Sequence, residues 1–406
     1  MRKGSRIVTS SVIDSKELPR AEMGERPARF IENRKELRHA RVTPLASIFG
    51  SGFLVIVPIL HAAVGPYSVV AMAGVCALAY AMGSVIRFNI RHAEPLLESG
   101  TASARVARYE RTANLALVFA YAISVCLYIH ILAAFLLGGL GINTPSRENL
   151  VTVIIVAGIG LLGRSRGLDM LLVLERWALR VTGVLVLALV AGFVLFDWKA
   201  FSTNTLQWPV LPQQDLWTVL TVLGGTLIVV QGFETSRYLG SEYDREMRVR
   251  SCRSSQIVST IIYVVFVAAA TPLMHFLGDK VEDNGLLVLA AKAATWLTVP
   301  LVFAAVLSQF SASVADVVAA GGNVEESTQG RVDDRQAYVL ICGIAVVMAF
   351  ASTLTILSFA SRAFSFYYFL QCLVAVCVSE NKAHKIAIIL LAAVLAFITL
   401  FAVPAG

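Results

Sequence analysis

The sequence predicts an all-α, polytopic membrane protein: about eleven transmembrane helices in a 5+5 inverted repeat, with helices one and six broken. Three observations carry this. Apolar residues make up 57% of the chain and charged residues 15%, with a mean hydropathy of +0.72, whereas about a quarter of a soluble domain is charged. The apolar residues gather in runs of roughly 18 to 25, each long enough to cross a hydrocarbon core about 30 Å thick. Glycines interrupt the first and the sixth of these runs. A soluble enzyme, a nucleic-acid-binding module and a secreted disulfide scaffold are excluded. So is a porin-like barrel, whose strands are short and alternate in polarity.

The elements follow in order. Residues 1–43 form a basic tail that ends in the helix-compatible stretch ARFIENRKELRHAR. No cleavable signal peptide is expected, because a signal needs an early apolar stretch. The tail suits contact with anionic lipid head groups. Spans are then expected near 44–63, 67–86, 112–140, 149–163, 178–196, 216–238, 256–276, 286–315, 337–352, 354–378 and 385–404. The transmembrane domain is 44–404. Its first repeat covers about 44–196 and its second about 216–378, followed by an extra helix at 385–404.

Loop charge orients the chain. With the N-terminus inside, 29 of the 34 Lys and Arg residues fall in cytoplasmic segments and 3 in outside loops. Cytoplasmic loops carry that excess. The N-terminus is therefore expected in the cytoplasm and the C-terminus outside, in a bacterial inner membrane. The net charge of +7 is an orientation signal here, and no nucleic-acid partner is expected. The six cysteines show no CxxC pair or His/Cys cluster, so neither a metal centre, a disulfide nor a cofactor is expected.

The first span reads TPLASIFGSGFLVIVPIL and the sixth LWTVLTVLGGTLIVVQGFETSRYLG. Glycine loosens a helix, and unwound backbone at membrane depth is tolerated where it lines a cavity. Breaks at corresponding positions of two five-span halves point to a transporter with its site at the midplane.

FGSGFLVIVP resembles the first-span signature of the amino acid–polyamine–organocation superfamily, GSGIF followed by a proline. Gly65-Pro66 is similar to that family's Gly-Pro between spans one and two, and VQGFETSRYLGSEYDREMR resembles its sixth-span GFE with the Glu and Arg that follow. On this likeness Glu234 is the GFE glutamate, Glu242 the loop glutamate and Arg248 the loop arginine. The resemblance implies a leucine-transporter-like inverted repeat, a small organic substrate such as an amino acid or organic cation, and transport as an amino acid permease or symporter.

Candidate site residues follow from both arguments. Gly50, Ser51, Gly52 and Phe53 at the first break would hold an anionic group on freed amides and a half-helix N-terminus; small residues also serve close helix packing. Gly232, Phe233 and Glu234 form the sixth-span group. A carboxylate at membrane depth marks an ion or substrate path, with Phe233 as an aromatic gate. The alternative is a helix-face pair between Glu234 and Arg237, three residues on.

Ser308, Gln309 and Ser311 offer oxygens for sodium, or else bond their own helix. In some members of the resembled family a lysine in span five replaces sodium; RVTGVLVLALVAGF has none, so the sodium option stays open. Asp316 is expected at the cytoplasmic interface. Arg362 would touch an anionic substrate or Glu234, unless it snorkels into an outer vestibule. Lys292 is expected to snorkel, and His61 and His130 to be satisfied polar residues. Arg237–Arg253 reads as a positive-inside loop, whose charges could pair with Glu242, Asp244 and Glu246 as an inner gate.

The expected function is secondary active transport of a small organic solute by alternating access, driven by H+ or Na+. Its partners are the solute, the coupling ion and membrane lipids. Three rivals remain: an inorganic-cation carrier of potassium type, a non-transporting membrane sensor and a membrane-embedded enzyme. The last would need a nucleophile–base pair or metal cluster, and the sequence displays neither.

Overall fold

In the computed structural model, residues 35–404 are described apart from 51, 241, 279 and 329, and apart from the side chains at 169–175 and 326. Residues 1–34 of the basic tail and the predicted site residue Ser51 lie outside the described residues. Residues 35–39 are helical.

Every regular element described in residues 40–404 is helical. The first span is two short helices, α1 (Val42–Gly50) and α2 (Ile56–Val64). Then come α3 (Ser68–His92), the short α4 (Glu94–Glu98), α5 (Ala104–Gly139), α6 (Pro145–Arg166) and α7 (Asp169–Ser202). The sixth span opens with α8 (Leu216–Gly224) and continues as two 3₁₀ turns, Leu227–Val230 and Phe233–Tyr238. The rest are α9 (Arg245–Ala270), α10 (Leu286–Ala293), α11 (Thr298–Ser327), α12 (Asp334–Met348), α13 (Thr353–Val378) and α14 (Lys382–Phe401).

Among the described residues, eight helical stretches are long and apolar enough to cross a membrane. The expected spans missing from that set are one, six and nine. Spans one and six are broken, and span nine holds a helix of 15 residues.

Capping side chains set several helix starts, each supplying an acceptor to an amide that the helix leaves unpaired. Asp215 receives the amide of Thr218, Asp244 that of Met247, Asp333 that of Gln336 and Ser352 that of Thr355.

Helices five spans apart pack on one another: α3 on α9, α5 on α11, and α6 on α12. Halves related by an inverted repeat place equivalent helices in this way. α5 is the axis of the bundle, clasped by α11 and α13. Its residues from Tyr121 to Phe135 are all buried, which is why this stretch is apolar on every side.

Several boundaries differ from the sequence expectation, and two of them move charged residues. The eighth span does not run 286–315. It splits at Ala294, which is extended, so that α10 carries Lys292 and α11 continues to Ser327. Lys292 lies over the ring of Phe276 at 5.1 Å. The seventh span begins at Arg245 rather than 256, so half of the expected basic loop is helix. Both errors have one cause: hydropathy marks where lipid begins, while a helix end is set by capping and by packing on neighbours.

Candidate functional site

The two breaks meet. Gly232 has φ +119°, in the left-handed region that glycine enters freely. A Cβ placed there would sit 2.6 Å from the amide nitrogen of Ile48 and from the Ser47 hydroxyl. Gly52 has φ +115°, and its Cβ would lie 3.2 Å from Val229. A Cβ on Gly50 would lie 2.5 Å from that of Ala312 on α11. The glycines thus let span one, span six and α11 approach at backbone distance.

Buried backbone must find partners, and side chains from neighbouring helices supply them. The Tyr263 hydroxyl on α9 lies 2.7 Å from the carbonyl of Val229 and 3.0 Å from that of Ile48, bridging the two breaks. The Ser361 hydroxyl on α13 donates to Gly225 O at 2.7 Å and accepts from the Ile228 amide at 3.1 Å. Gln231 donates to the Tyr128 hydroxyl at 3.2 Å.

Glu234 is fully buried just past the second break. Its Oε2 accepts from the Gly232 amide at 2.8 Å and from the Tyr368 hydroxyl at 2.6 Å. Its Oε1 is buried with no hydrogen-bond partner among the described residues. Phe233 stacks on Tyr368 with ring centroids 5.3 Å apart. Phe53 is buried against Phe266 at 4.5 Å.

A cavity of about 120 Å³ lies between α1, α5, α7, α11 and the 233–238 turn. Its walls include Ser47 and Gly50, Tyr121, Thr182, Thr235 and Tyr238, and from α11 Ser308, Ser311 and Asp316. Asp316 is 4% exposed. Asp316 does not close the eighth span, as the sequence suggested: α11 continues eleven residues beyond it. The α11 residues on the wall are 308, 311, 312, 315, 316 and 319, the i, i+3, i+4, i+7 stripe of one helical face. Extending the predicted helix past 315 would have put Asp316 on that stripe.

The other predicted site residues divide. Gly50, Ser308 and Ser311 border the cavity; Gly52, Phe53, Gly232, Phe233, Glu234 and Gln309 are buried and do not line it. Gln309 donates to the Ser308 hydroxyl at 3.4 Å.

Arg362 is not at the cavity. Its guanidinium bonds the carbonyl of Leu400 near the end of α14, where helix carbonyls lack partners of their own. Arg362→Ala is expected to cost about 1 kcal/mol of stability and to leave transport affinity unchanged. Thermal unfolding and solute uptake measured side by side would check this. His130 is held by the Ala349 carbonyl at 2.9 Å, and His61 borders two openings at the far end of the first span.

Arg237 does not pair with Glu234. It turns to Glu94 at 3.1 Å, Glu110 at 2.9 Å and Gln371 at 2.9 Å. Arg248 reaches Glu94 at 2.8 Å and the carbonyl of Arg237 at 2.7 Å. Of the pairing expected within the basic loop, Arg250 with Glu246 is found among the described residues. Glu246 meets Arg91 and Arg250 at the surface, and Asp244 is a helix cap. The buried partners, Glu94 and Glu110, sit in a stretch whose basic residues make it read as an ordinary solvated loop. Nothing local in sequence marks them. Among the described residues, no group of three or more His, Cys, Asp or Glu is placed to hold a metal ion.

Comparison with known proteins places the chain in a transporter family. The profile of a family described as APC superfamily transporter matches residues 31–405. An uncharacterized protein of Aquifex aeolicus (strain VF5) is 39% identical over 381 residues, covering 92% of each chain. In the crystal structure of a manganese transporter mutant from Eremococcus coleocola, the fold matches with a TM-score of 0.54 at 12% identity, covering 90% of this chain and 86% of that one.

Proposed function

Because the chain belongs to the APC superfamily of transporters, we propose that it is a secondary active transporter. It moves a small organic solute, an amino acid or an organic cation, by alternating access under a proton or sodium gradient. The observation that carries this reading is the meeting of two broken spans beside a cavity. Both breaks are packed through glycine and bridged by Tyr263, and Glu234 closes the second.

Glu234 is the proposed coupling group. One of its oxygens holds the second break together, and the other is unpartnered. Loading that oxygen with a proton changes the charge at the junction of the moving spans. We place the protein in a bacterial inner membrane with its N-terminus in the cytoplasm, on the 29-to-3 distribution of Lys and Arg. On that orientation the paired Arg237 and Arg248 lie toward the cytoplasm and act as an inner closure.

The test is uptake by proteoliposomes holding the full chain, under an imposed proton gradient. Glu234→Gln is expected to lower gradient-driven uptake by about 100-fold while solute exchange without a gradient persists. Full driven uptake by that variant would remove Glu234 from coupling.

A second reading, an inorganic-cation carrier, is favoured by Asp316 and the α11 hydroxyls at the cavity. The same liposomes, loaded with alkali or manganese ions instead of organic solutes, separate the two.

A further inference from the structure

We propose that Asp316 is the anchoring carboxylate of a site for a singly charged alkylammonium ion, and that this ion and a proton compete for it, so that the protein exchanges one for the other. The inference rests on the transporter reading and assigns its substrate class and direction of coupling.

Four wall residues of the cavity carry a buried oxygen with no hydrogen-bond partner among the described residues: Ser47, Tyr121, Thr182 and Asp316. Buried polar atoms normally have partners. Four orphans from four different helices around one cavity mark a place built for a polar occupant. Ser308 and Ser311 add two more hydroxyls.

The charge of that occupant follows from the wall. Among the described residues lining the cavity, Asp316 is the only one with a formal charge. The ionisable groups facing it are acidic or phenolic. Glu234 lies on the 233–238 turn, Tyr121 and Tyr128 on α5, and Tyr238 on the wall. Tyr338 of α12 meets α11 beside Gly321. Ser124 on α5 is within hydrogen-bonding reach of the carboxylate. Arg237 lies beside Tyr238 on the same turn, but its charge is held by Glu94 and Glu110, and it does not line the cavity. An uncompensated charge at such depth is costly, so the balanced states carry one proton or one monovalent cation on Asp316.

The shape of the wall decides between organic and bare ions. Ala46, Ala178, Leu179, Ala312, Ala315 and Ala319 make much of it apolar. A hard metal ion prefers a full shell of oxygens. An alkylammonium instead presents three N–H donors at one end, for the carboxylate and two hydroxyls, and an apolar body at the other. A cavity of about 120 Å³ is well below the roughly 300 Å³ at which drug-sized pockets begin, so the occupant is small. An amino acid is disfavoured, since its carboxylate would add a second negative charge beside Asp316.

The exchange is balanced as written. The ammonium binds as Asp316 gives up its proton, one cation in for one proton out, and the reverse step returns the proton as the ammonium leaves. No covalent bond other than O–H changes.

The test uses the purified full-length protein in detergent, with ethylammonium, sodium and glycine as probes and calorimetry at several pH values. Ethylammonium is expected to bind, to release one proton per ion, and to lose affinity toward about tenfold per pH unit at the acid end. Asp316→Asn is expected to weaken binding by about 100-fold and to abolish proton release. Asp316→Glu keeps a carboxylate and is expected to retain the pH dependence, which separates loss of the group from loss of the fold. Binding of ethylammonium without proton release, binding of glycine unaffected by Asp316→Asn, proton release with sodium alone, or no binding of any probe would each overturn the proposal.

Flux in proteoliposomes separates the two levels of the argument. Binding with proton release but no exchange would leave the site and remove the transporter reading. Gradient-driven solute movement untouched in Asp316→Asn would leave the transporter and remove the site.

Discussion

Gly232→Ala is expected to abolish transport and to lower the stability of the folded protein. Two costs add. The left-handed conformation at φ +119° costs an L-residue roughly 1–2 kcal/mol. The new methyl group would also lie 2.6 Å from the amide nitrogen of Ile48 and from the Ser47 hydroxyl, which forces α1 away from the second break. The Ser47 hydroxyl could swing aside, but the main chain of Ser47 and Ile48 cannot. The geometry that suffers is the shared bridge at Tyr263, whose hydroxyl needs the carbonyls of Val229 and Ile48 within one hydrogen-bond length. Uptake in proteoliposomes and the melting temperature in detergent would both be measured. Normal uptake by Gly232→Ala would mean that the breaks can move apart without consequence, against the proposed site. Gly74, where a Cβ meets nothing within 4 Å, is the control: Gly74→Ala should be neutral or slightly stabilising, because alanine is the better helix former.

Arg237→Ala is expected to destabilise the protein by about 3–5 kcal/mol, the usual cost of removing one partner from a buried ion pair. Arg237 is the hub of its cluster. It holds Glu94 from α4, Glu110 from α5 and Gln371 from α13 around a side chain that is 7% exposed. Without it, two carboxylates remain with Arg248 alone, which reaches only Glu94 among them. The double variant Arg237→Met with Glu110→Gln should recover part of the loss, since removing both members of a pair avoids the unpaired charge. Thermal unfolding of the two variants beside the parent measures this. A loss below about 1 kcal/mol in Arg237→Ala would place the pair among weak surface bridges and remove the inner closure from the mechanism.

Much of the fold was legible because its signals are local. A run of apolar residues is recognisable without knowing its neighbours, and so are the glycines at 50, 52, 224, 225 and 232 that interrupt two of the runs. The basic loops are equally plain. Helix ends were less legible. The eighth span was ended too early because the alanine- and glycine-rich stretch after Asp316 reads as the end of a span, whereas packing on α5, α7 and α12 carries the helix on to Ser327. Arg362 reads as a partner of a substrate or of Glu234, or as a snorkelling residue, because a charge in mid-run demands a partner. Its partner is a main-chain carbonyl 38 residues away at the end of α14, and main-chain carbonyls leave no mark in a sequence.

The sequence by itself determined the membrane-spanning helical class, the order and approximate position of the spans, and the two breaks. Each depends on composition or on residues within a few positions of one another. The tertiary structure alone decided which charges neutralise which. Arg237 is separated from Glu94 by 143 residues and Asn89 from Gln371 by 282, and nothing in the local sequence prefers Glu94 to Glu234. It also decided which hydroxyls share a cavity with Asp316. The reason is physical: in a low-dielectric interior a polar group takes whatever partner the packing brings within about 3 Å, and that packing is set by the shapes of whole helices.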